Sequence, residues 1–274
     1  LATIAVESRG TDASAAALAA ERIARGLGDV PLLAFALNGV YMQSFQRAGL
    51  APSRDRIGAE LVALSAEHGL ASFEILGHLV RLQARSALAD FTAADTHAAA
   101  ADRLALRHGR PLVGAFTAWY RALRLAAGGA PGPVAEAAYR AAARELTGAG
   151  MPGVERGLLP LAVLCLRVWH DEPADFDDDT GWGPYAPWAR PLVLLARHRP
   201  AAAATALRQA PDPPPDLLME ALWALIGRAA VQLGDRDRAN RAYAALAPAS
   251  DELAGAGSGM LTAGPVADHL ARMR

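Results

Sequence analysis

Four glycines recur at an almost constant interval in the first half of this chain. They are Gly28, Gly69, Gly109 and Gly150, and the intervals between them are 41, 40 and 41 residues. An apolar-periodic stretch of about fifteen residues follows each glycine, which is typical of a helix that begins after a left-handed glycine cap. A period of this length predicts a helical-repeat protein in which each repeat is one supersecondary unit.

The four units also share apolar positions. Four residues after the glycines stand Leu32, Phe73, Val113 and Val154. Seven residues after them stand Phe35, Leu76, Phe116 and, as the one exception, Gly157. Because these two positions lie on one face of a helix, they predict a buried stripe that the repeats share.

Alanine-rich segments separate the apolar stretches, and each of them is amphipathic. They comprise residues 52–69, 90–109 and 131–150. Each opens on a helix start signal, so the repeat unit is predicted to be a helix hairpin. The signals are Ser53 after Pro52, Asp90 or a Thr92–Asp95 capping box, and Pro131 or Pro133.

The helical pattern continues to the end of the sequence. It resumes in residues 185–198, 200–211, 213–234 and 235–248, and the glycine-rich residues 252–265 are predicted to be a flexible loop before one more helix. Hydrophobic residues make up 53% of the chain and aromatic residues only 6%, which favours helices over strands. The sequence therefore predicts an all-α fold. We expect one domain over 1–274, a right-handed α-α superhelix (a tetratricopeptide-like, or TPR-like, solenoid) of about six helix hairpins.

The hairpins resemble a known protein family. Residues 32–50, 60–95, 182–196 and 221–271 look like parts of the TPR-like region of large actinobacterial transcriptional regulators, the SARP-type and LuxR-type signal-transducing ATPases. Ala229, Ala239 and Tyr243 have the small-small-aromatic arrangement of a TPR-type hairpin. The resemblance covers nearly the whole chain, but its motifs are diffuse.

In that family a DNA-binding domain and an ATPase module are joined to a C-terminal helical-repeat arm. The resemblance implies that this chain is such an arm, which restrains the ATPase, receives a signal or a protein partner, or supports oligomerisation. It transfers no catalytic residue to this region. We also expect the chain to be a piece of a longer protein, because it starts at Leu1 without methionine and stops inside a helical pattern.

Composition excludes several functions. The chain has no lysine, so it lacks the P-loop lysine of a classical ATP site, and its net charge of -1 argues against direct nucleic-acid binding. No pair of its seven histidines has a zinc-binding spacing, and Cys165, the single cysteine, is expected to be buried in packing. The absence of a long apolar run and of a signal segment predicts a cytoplasmic protein, and we expect no cofactor.

A candidate binding face comes from arginines and aromatic residues on the first helices of the hairpins. Arg81 and Arg121 each follow a repeat glycine by twelve residues, with Trp119, Tyr120 and Arg124 close by. First helices of TPR-like hairpins line the concave surface, where two arginines can grip a carboxylate or phosphate. The alternative is a solvated face on which the arginines form ion pairs with neighbouring helices.

The stretch from His170 to Trp188 is the second candidate site. Asp175, Asp177 and Asp179 resemble the opening of a calcium loop, but Thr180 and Ala186 occupy the positions of its glycine and its bidentate glutamate. Prolines and glycines also exclude the long helix that an aspartate-rich magnesium motif needs. We therefore predict that residues 171–184 are an irregular acidic loop that interrupts the repeats, whose acids face water. The aromatic residues expected to pack against its neighbours are Trp182, Tyr185 and Trp188.

Three functions are compatible with this sequence. The first is a non-catalytic interaction arm that binds a protein or a small effector on its concave side, without contact to a membrane. The second is a metal-dependent α-helical enzyme that uses the acidic loop, with calcium binding or partner docking as other roles for that loop. The third is a structural scaffold that mediates self-association.

Overall fold

The structure is a computed structural model that describes residues 11–146 and 156–274. The N-terminal described part contains seven helices: α1 (Thr11–Leu27), α2 (Val30–Met42), α3 (Ala51–His68), α4 (Ala71–Ala87), α5 (Phe91–Arg107), α6 (Leu112–Ala127) and α7 (Gly132–Leu146). The second part contains six: α8 (Leu158–Trp169), α9 (Ala186–Ala196), α10 (Pro200–Gln209), α11 (Met219–Leu233), α12 (Arg236–Leu246) and α13 (Val266–Met273). Neither range contains a β-strand, so the predicted all-α class is confirmed.

The repeat glycines act as predicted where the structure describes them. Gly28, Gly69 and Gly109 all have a positive φ, between 63° and 68°, and a new helix begins two or three residues after each. Gly150 lies outside the described residues. The start signal at Asp90 is also confirmed, because its carboxylate accepts a hydrogen bond of 3.2 Å from the amide of Ala93.

Consecutive helices pack against each other in pairs. The most extensive pairs are α1 with α2, α3 with α4, α6 with α7, α9 with α10 and α11 with α12, and α4 also packs closely on α5. The backbones of α3 and α4 approach closely where Gly58 faces Gly77, since a Cβ on Gly58 would lie 3.0 Å from the carbonyl oxygen of Gly77. Small residues at a crossing allow this distance.

The shared apolar stripe is only partly buried. Val113 is buried, while Leu32, Phe73, Phe35, Leu76 and Phe116 are half-buried. Val154 lies outside the described residues, and Gly157 is a buried glycine at the start of α8. The stripe is therefore not a continuous core, and part of it faces a groove.

The glycine-rich residues 252–265 differ from the predicted flexible loop. They are irregular, with one 3-10 turn at Ala256–Ser258, but nearly all of them are buried. The amide of Leu253 donates to the carbonyl of Ala87 in α4, and the amide of Ala263 donates to that of Ala254. Glycines suit this position because the segment runs against neighbouring side chains that leave no room for a Cβ. It therefore joins the N-terminal hairpins to the C-terminal helices.

A buried charged cluster lies at this junction. Arg54 of α3 is 1% exposed and Glu252 is 5% exposed, with 3.8 Å between the guanidinium and the carboxylate. The guanidinium also donates to the carbonyl of Ser44, and Glu252 accepts from the amide of Ala51 at 3.3 Å. Glu220 of α11, also buried, accepts from backbone amides in the same region. We call Arg54, Glu220 and Glu252 the buried charged cluster.

The buried charged cluster contains more negative than positive charge when both carboxyls are ionised. Burial, followed by the nearby Glu220, raises the pKa of Glu252 to about 7. An unfolded glutamate has a pKa near 4.5. Between these two values the folded state holds a proton that the unfolded state has released, so Glu252 makes the protein less stable as the pH rises from 4.5 to 7.

We expect Glu252→Gln to remove this pH dependence. The variant should gain stability relative to the parent protein as the pH rises from 5 to 8, measured as the difference between their urea midpoints at each pH. Comparing the two proteins at each pH is necessary because buried neutral histidines such as His97 and His269 have lowered pKa values, so they make the protein more stable as the pH rises. Both proteins contain these histidines, and their effect therefore cancels in the difference between the urea midpoints. Glu67→Gln on the exposed side of α3 is the control and should give a constant difference. A constant difference for Glu252→Gln would contradict the assignment.

Residues 171–182 contain no helix, and a 3-10 turn at Gly183–Tyr185 leads into α9. Trp188 is buried in the largest apolar cluster and donates from Nε1 to the carbonyl of Pro211 at 2.9 Å. Trp182 and Tyr185 are half-buried and pack on the same cluster. These aromatic side chains anchor the loop to the helices around it.

The sequence also predicted a buried cysteine and no membrane-spanning helix. Cys165 is fully buried in α8, and burial raises the pKa of its thiol to about 12, which fits a packing role. None of the described helices has the length and apolar composition needed to cross a membrane.

Candidate functional site

An apolar groove lies between α4 and α6. Its outer part has a volume of about 410 Å³ and is lined by Ser72 and Ile75 of α4, the turn from Gly109 to Val113, and Phe116 of α6. Its inner part has a volume of about 200 Å³ and extends from Phe116 past Leu76 and Leu79 to α2 and the glycine-rich segment. Phe116 lines both parts, so they adjoin at this ring, and we call the two parts together the α4–α6 groove.

Helical periodicity places the lining residues. On α4, residues 72, 75, 76, 79 and 83 recur at intervals of three and four and therefore share one face. On α6, Leu112 and Phe116 are one turn apart and point to the same space. Leu112, in the first turn of α6, is 38% exposed.

The inner end of the α4–α6 groove carries a small polar network. The hydroxyl of Tyr41 donates to the side-chain oxygen of Gln83, and Gln83 donates from Nε2 to the carbonyl of Ser258 at 3.0 Å. The hydroxyl of Ser258 donates to the carbonyl of Gly255 at 2.7 Å. These groups satisfy one another, so the inner end offers a ligand mainly apolar surface from Leu76, Leu79 and Met260.

The outer end of the groove carries exposed arginines. Residues 103–135 contain no aspartate or glutamate, and they include the exposed Arg107, His108 and Arg110 at the turn between α5 and α6. Arg110 donates to the hydroxyl of Ser72 at 3.3 Å. Within the described residues neither Arg107 nor Arg110 forms a salt bridge. The mouth of the groove is thus a cationic rim on an apolar channel.

The aromatic residues predicted for the concave face are buried. Trp119 and Tyr120 are each 1% exposed, so neither is accessible to a ligand in this conformation. The ring of Trp119 packs on that of Tyr139 at 5.8 Å between centroids. The hydroxyl of Tyr120 donates to Asp95, and burial together with this hydrogen bond raises the pKa of Tyr120.

The three arginines predicted for that face pair with carboxylates on neighbouring helices. Arg81 donates from Nε to Asp55 of α3 at 3.0 Å, and Arg121 donates to Asp102 of α5. Arg124 lies 3.4 Å from Asp95 and 5.0 Å over the ring of Phe91. This arrangement matches the alternative of ion pairs with neighbouring helices.

The acids proposed as weak metal ligands are on the surface. Asp175, Asp177 and Asp179 are exposed, and the described residues contain no group of three histidine, cysteine, aspartate or glutamate side chains arranged to hold a metal ion. The acidic loop instead forms ion pairs with arginines. Asp178 pairs with Arg197, and Asp171 accepts from Arg272 at 2.7 Å, which lowers the pKa of Asp171.

A pair of histidines that was not predicted from the sequence lies between α4 and α5. Nδ1 of His78 on α4 lies 2.9 Å from Nδ1 of His97 on α5. Burial, with a smaller contribution from the positive charge of Arg81, lowers the pKa of His97 to about 4, so the pair is neutral near pH 7. Two neutral rings that share one hydrogen bond connect α4 and α5.

Most residues of the α4–α6 groove were likewise not predicted from the sequence. The one sequence pattern that includes groove residues is the apolar position seven residues after each repeat glycine, where Leu76 and Phe116 stand. Leu79, Gln83 and Ser258 have no counterpart in that pattern. Comparisons with protein-family models, with curated proteins and with solved structures find no match for the chain.

Proposed function

We propose that this chain is a non-catalytic interaction module that binds a ligand in the α4–α6 groove. The observation that carries the proposal is a pair of apolar cavities of about 410 Å³ and 200 Å³ that adjoin at Phe116, the larger of which is lined by Arg110. Pockets that bind small molecules typically have volumes of about 300–1,000 Å³ and apolar walls with a few polar groups.

The proposal includes a TPR-like arrangement, a right-handed superhelix of about six hairpins. It is supported by the repeat glycines, by the consecutive packing of the helices and by the hairpin of α11 and α12, where Gly234 has a φ of 68° and Asp235 caps α12. An open solenoid has contacts only between neighbouring repeats. The glycine-rich segment departs from that simple scheme, since it reaches from α11 and α13 back to α4.

We further propose that the module is part of a larger transcriptional regulator of the SARP or LuxR type. This part of the proposal depends on the sequence resemblance. In such a protein, binding of a small effector or of another protein to the arm would change the activity of an ATPase module elsewhere in the chain. DNA contacts would belong to a separate domain, and self-association of the arm is compatible with this role.

The proposal predicts that Leu112→Glu abolishes ligand binding without loss of the fold. Leu112 is partly exposed at the mouth of the groove, and a glutamate suits the first turn of a helix, so α6 should remain folded. The measurement is a screen of small molecules and peptides for a rise in melting temperature of the chain. Compounds that stabilise the parent protein should not stabilise the variant, because a charge in an apolar site is costly to bury.

Leu106→Glu is the matched control. Leu106 is 87% exposed near the end of α5 and does not line the groove, so the variant should respond to the same compounds as the parent protein. If every stabilising compound acts equally on the parent protein and on Leu112→Glu, the α4–α6 groove is not the binding site.

A further inference from the structure

We propose that the α4–α6 groove binds a small amphipathic carboxylic acid, with its carboxylate at Arg110 and its hydrocarbon chain extending past Phe116 towards Met260. This inference rests on the proposed function and specifies the ligand of the same site. It follows from the shape of the groove, the distribution of charge along it and the state of its polar groups.

The shape of the groove favours a long, narrow ligand. The outer part lies against the turn before α6, and the inner part lies between α2, α4 and the glycine-rich segment, with Phe116 between them. A ligand that fills both parts must be extended. Its far end would contact Leu79 and Met260, whose surfaces bind methylene groups and offer no charge.

The charge at the mouth favours an anionic head group. Arg110 contributes a guanidinium whose one hydrogen bond among the described residues is to the hydroxyl of Ser72. Arg107 adds a second guanidinium at the same turn, and the nearest acids are Asp102 and Glu136 along the chain and Glu74 on α4. A guanidinium binds a carboxylate through two parallel hydrogen bonds, so Arg110 can orient such a head group.

The state of the inner polar groups argues against a peptide. A peptide backbone brings amide and carbonyl groups that need hydrogen-bond partners when they are buried. Tyr41, Gln83 and Ser258 already bond to one another or to the backbone at the inner end. A hydrocarbon chain makes no such demand, so the inner part suits an acyl chain better than an acidic peptide.

The test is isothermal titration calorimetry of the whole chain with three probes. Decanoate and decyltrimethylammonium are kept below their micelle concentrations, and 1-decanol is kept below its solubility limit. These probes have the same chain length and differ in the charge of the head group. We expect decanoate to bind, decanol to bind about tenfold more weakly because it lacks the charged hydrogen bonds, and the cation to bind more weakly still.

Arg110→Gln separates the head-group site from the apolar channel. Because Arg110 is exposed, the variant should fold like the parent protein. It should weaken decanoate binding about tenfold and leave decanol binding unchanged. Arg236→Gln, an exposed arginine on α12 that does not line the groove, is the control and should change neither affinity.

Three results would overturn the inference. One is equal affinity for decanoate and decyltrimethylammonium, and another is the same decanoate affinity in Arg110→Gln and Arg236→Gln. The third is binding of an acidic peptide, but of none of the three probes, to the parent protein and not to Leu112→Glu. That third result would refute the amphipathic acid as the ligand but would leave the groove as the binding site. If every ligand bound equally to the parent protein and to Leu112→Glu, both the ligand and the groove would be refuted.

Discussion

Replacing Arg54 by methionine is expected to lower the free energy of unfolding by about 3–5 kcal/mol, because the change leaves two buried carboxyls without their positive partner. Arg54 lies in the buried charged cluster, 3.8 Å from Glu252, and its guanidinium also packs 4.7 Å from the centre of the Phe45 ring. Methionine can fill the volume beside Phe45 but cannot balance Glu220 and Glu252. Urea unfolding of the chain, followed by circular dichroism, measures the loss.

Two further variants separate the charge effect from packing. Arg56→Met changes an exposed arginine on the same helix and should alter stability by no more than about 0.5 kcal/mol. Adding Glu220→Gln and Glu252→Gln to Arg54→Met should recover part of the loss, since the cluster then carries no charge. A loss below about 1 kcal/mol for Arg54→Met, or no recovery in the triple variant, would show that the cluster is not the electrostatic link between α3 and α11.

Gly49→Ala is expected to give the second largest effect. Gly49 has a φ of 79°, and an added Cβ would lie 2.6 Å from the carbonyl carbon of Pro248 and closer still to its oxygen. Both atoms belong to the backbone, so the contact can be relieved only by moving the chain before the glycine-rich segment away from the start of α3. We expect a loss of about 2–5 kcal/mol, the sum of left-handed strain and overpacking.

Gly69→Ala isolates the conformational part of this loss. Gly69 has a similar φ of 68°, but an added Cβ there has no neighbour within 4 Å. The free energy of unfolding of Gly69→Ala should be about 1–2 kcal/mol lower than that of the parent protein. Hydrogen exchange provides a second measurement, because Gly49→Ala should speed exchange of the Leu253 and Ala254 amides while Gly69→Ala should not. Equal losses in the two variants would mean that the contact with Pro248 can relax at little cost.

The sequence alone determined the helices, because the signals for a helix are local. The glycine caps at Gly28, Gly69 and Gly109 and the N-cap at Asp90 each act on backbone groups within a few residues. Apolar periodicity likewise indicates which side chains share one face of a helix. These signals were sufficient for the all-α class and for the positions of the repeat helices that the structure describes.

Only the tertiary structure decided which surfaces face one another. The amide of Ala51 donates to Glu252 across 201 positions of the sequence, and Gln83 donates to Ser258 across 175. Periodicity along one helix carries no information about such partners. For that reason a glycine-rich stretch that looked like a solvated loop is buried, and the predicted aromatic residues Trp119 and Tyr120 are in the core. The α4–α6 groove exists because two helices and this distant segment meet around Phe116, a geometry set by packing rather than by local sequence.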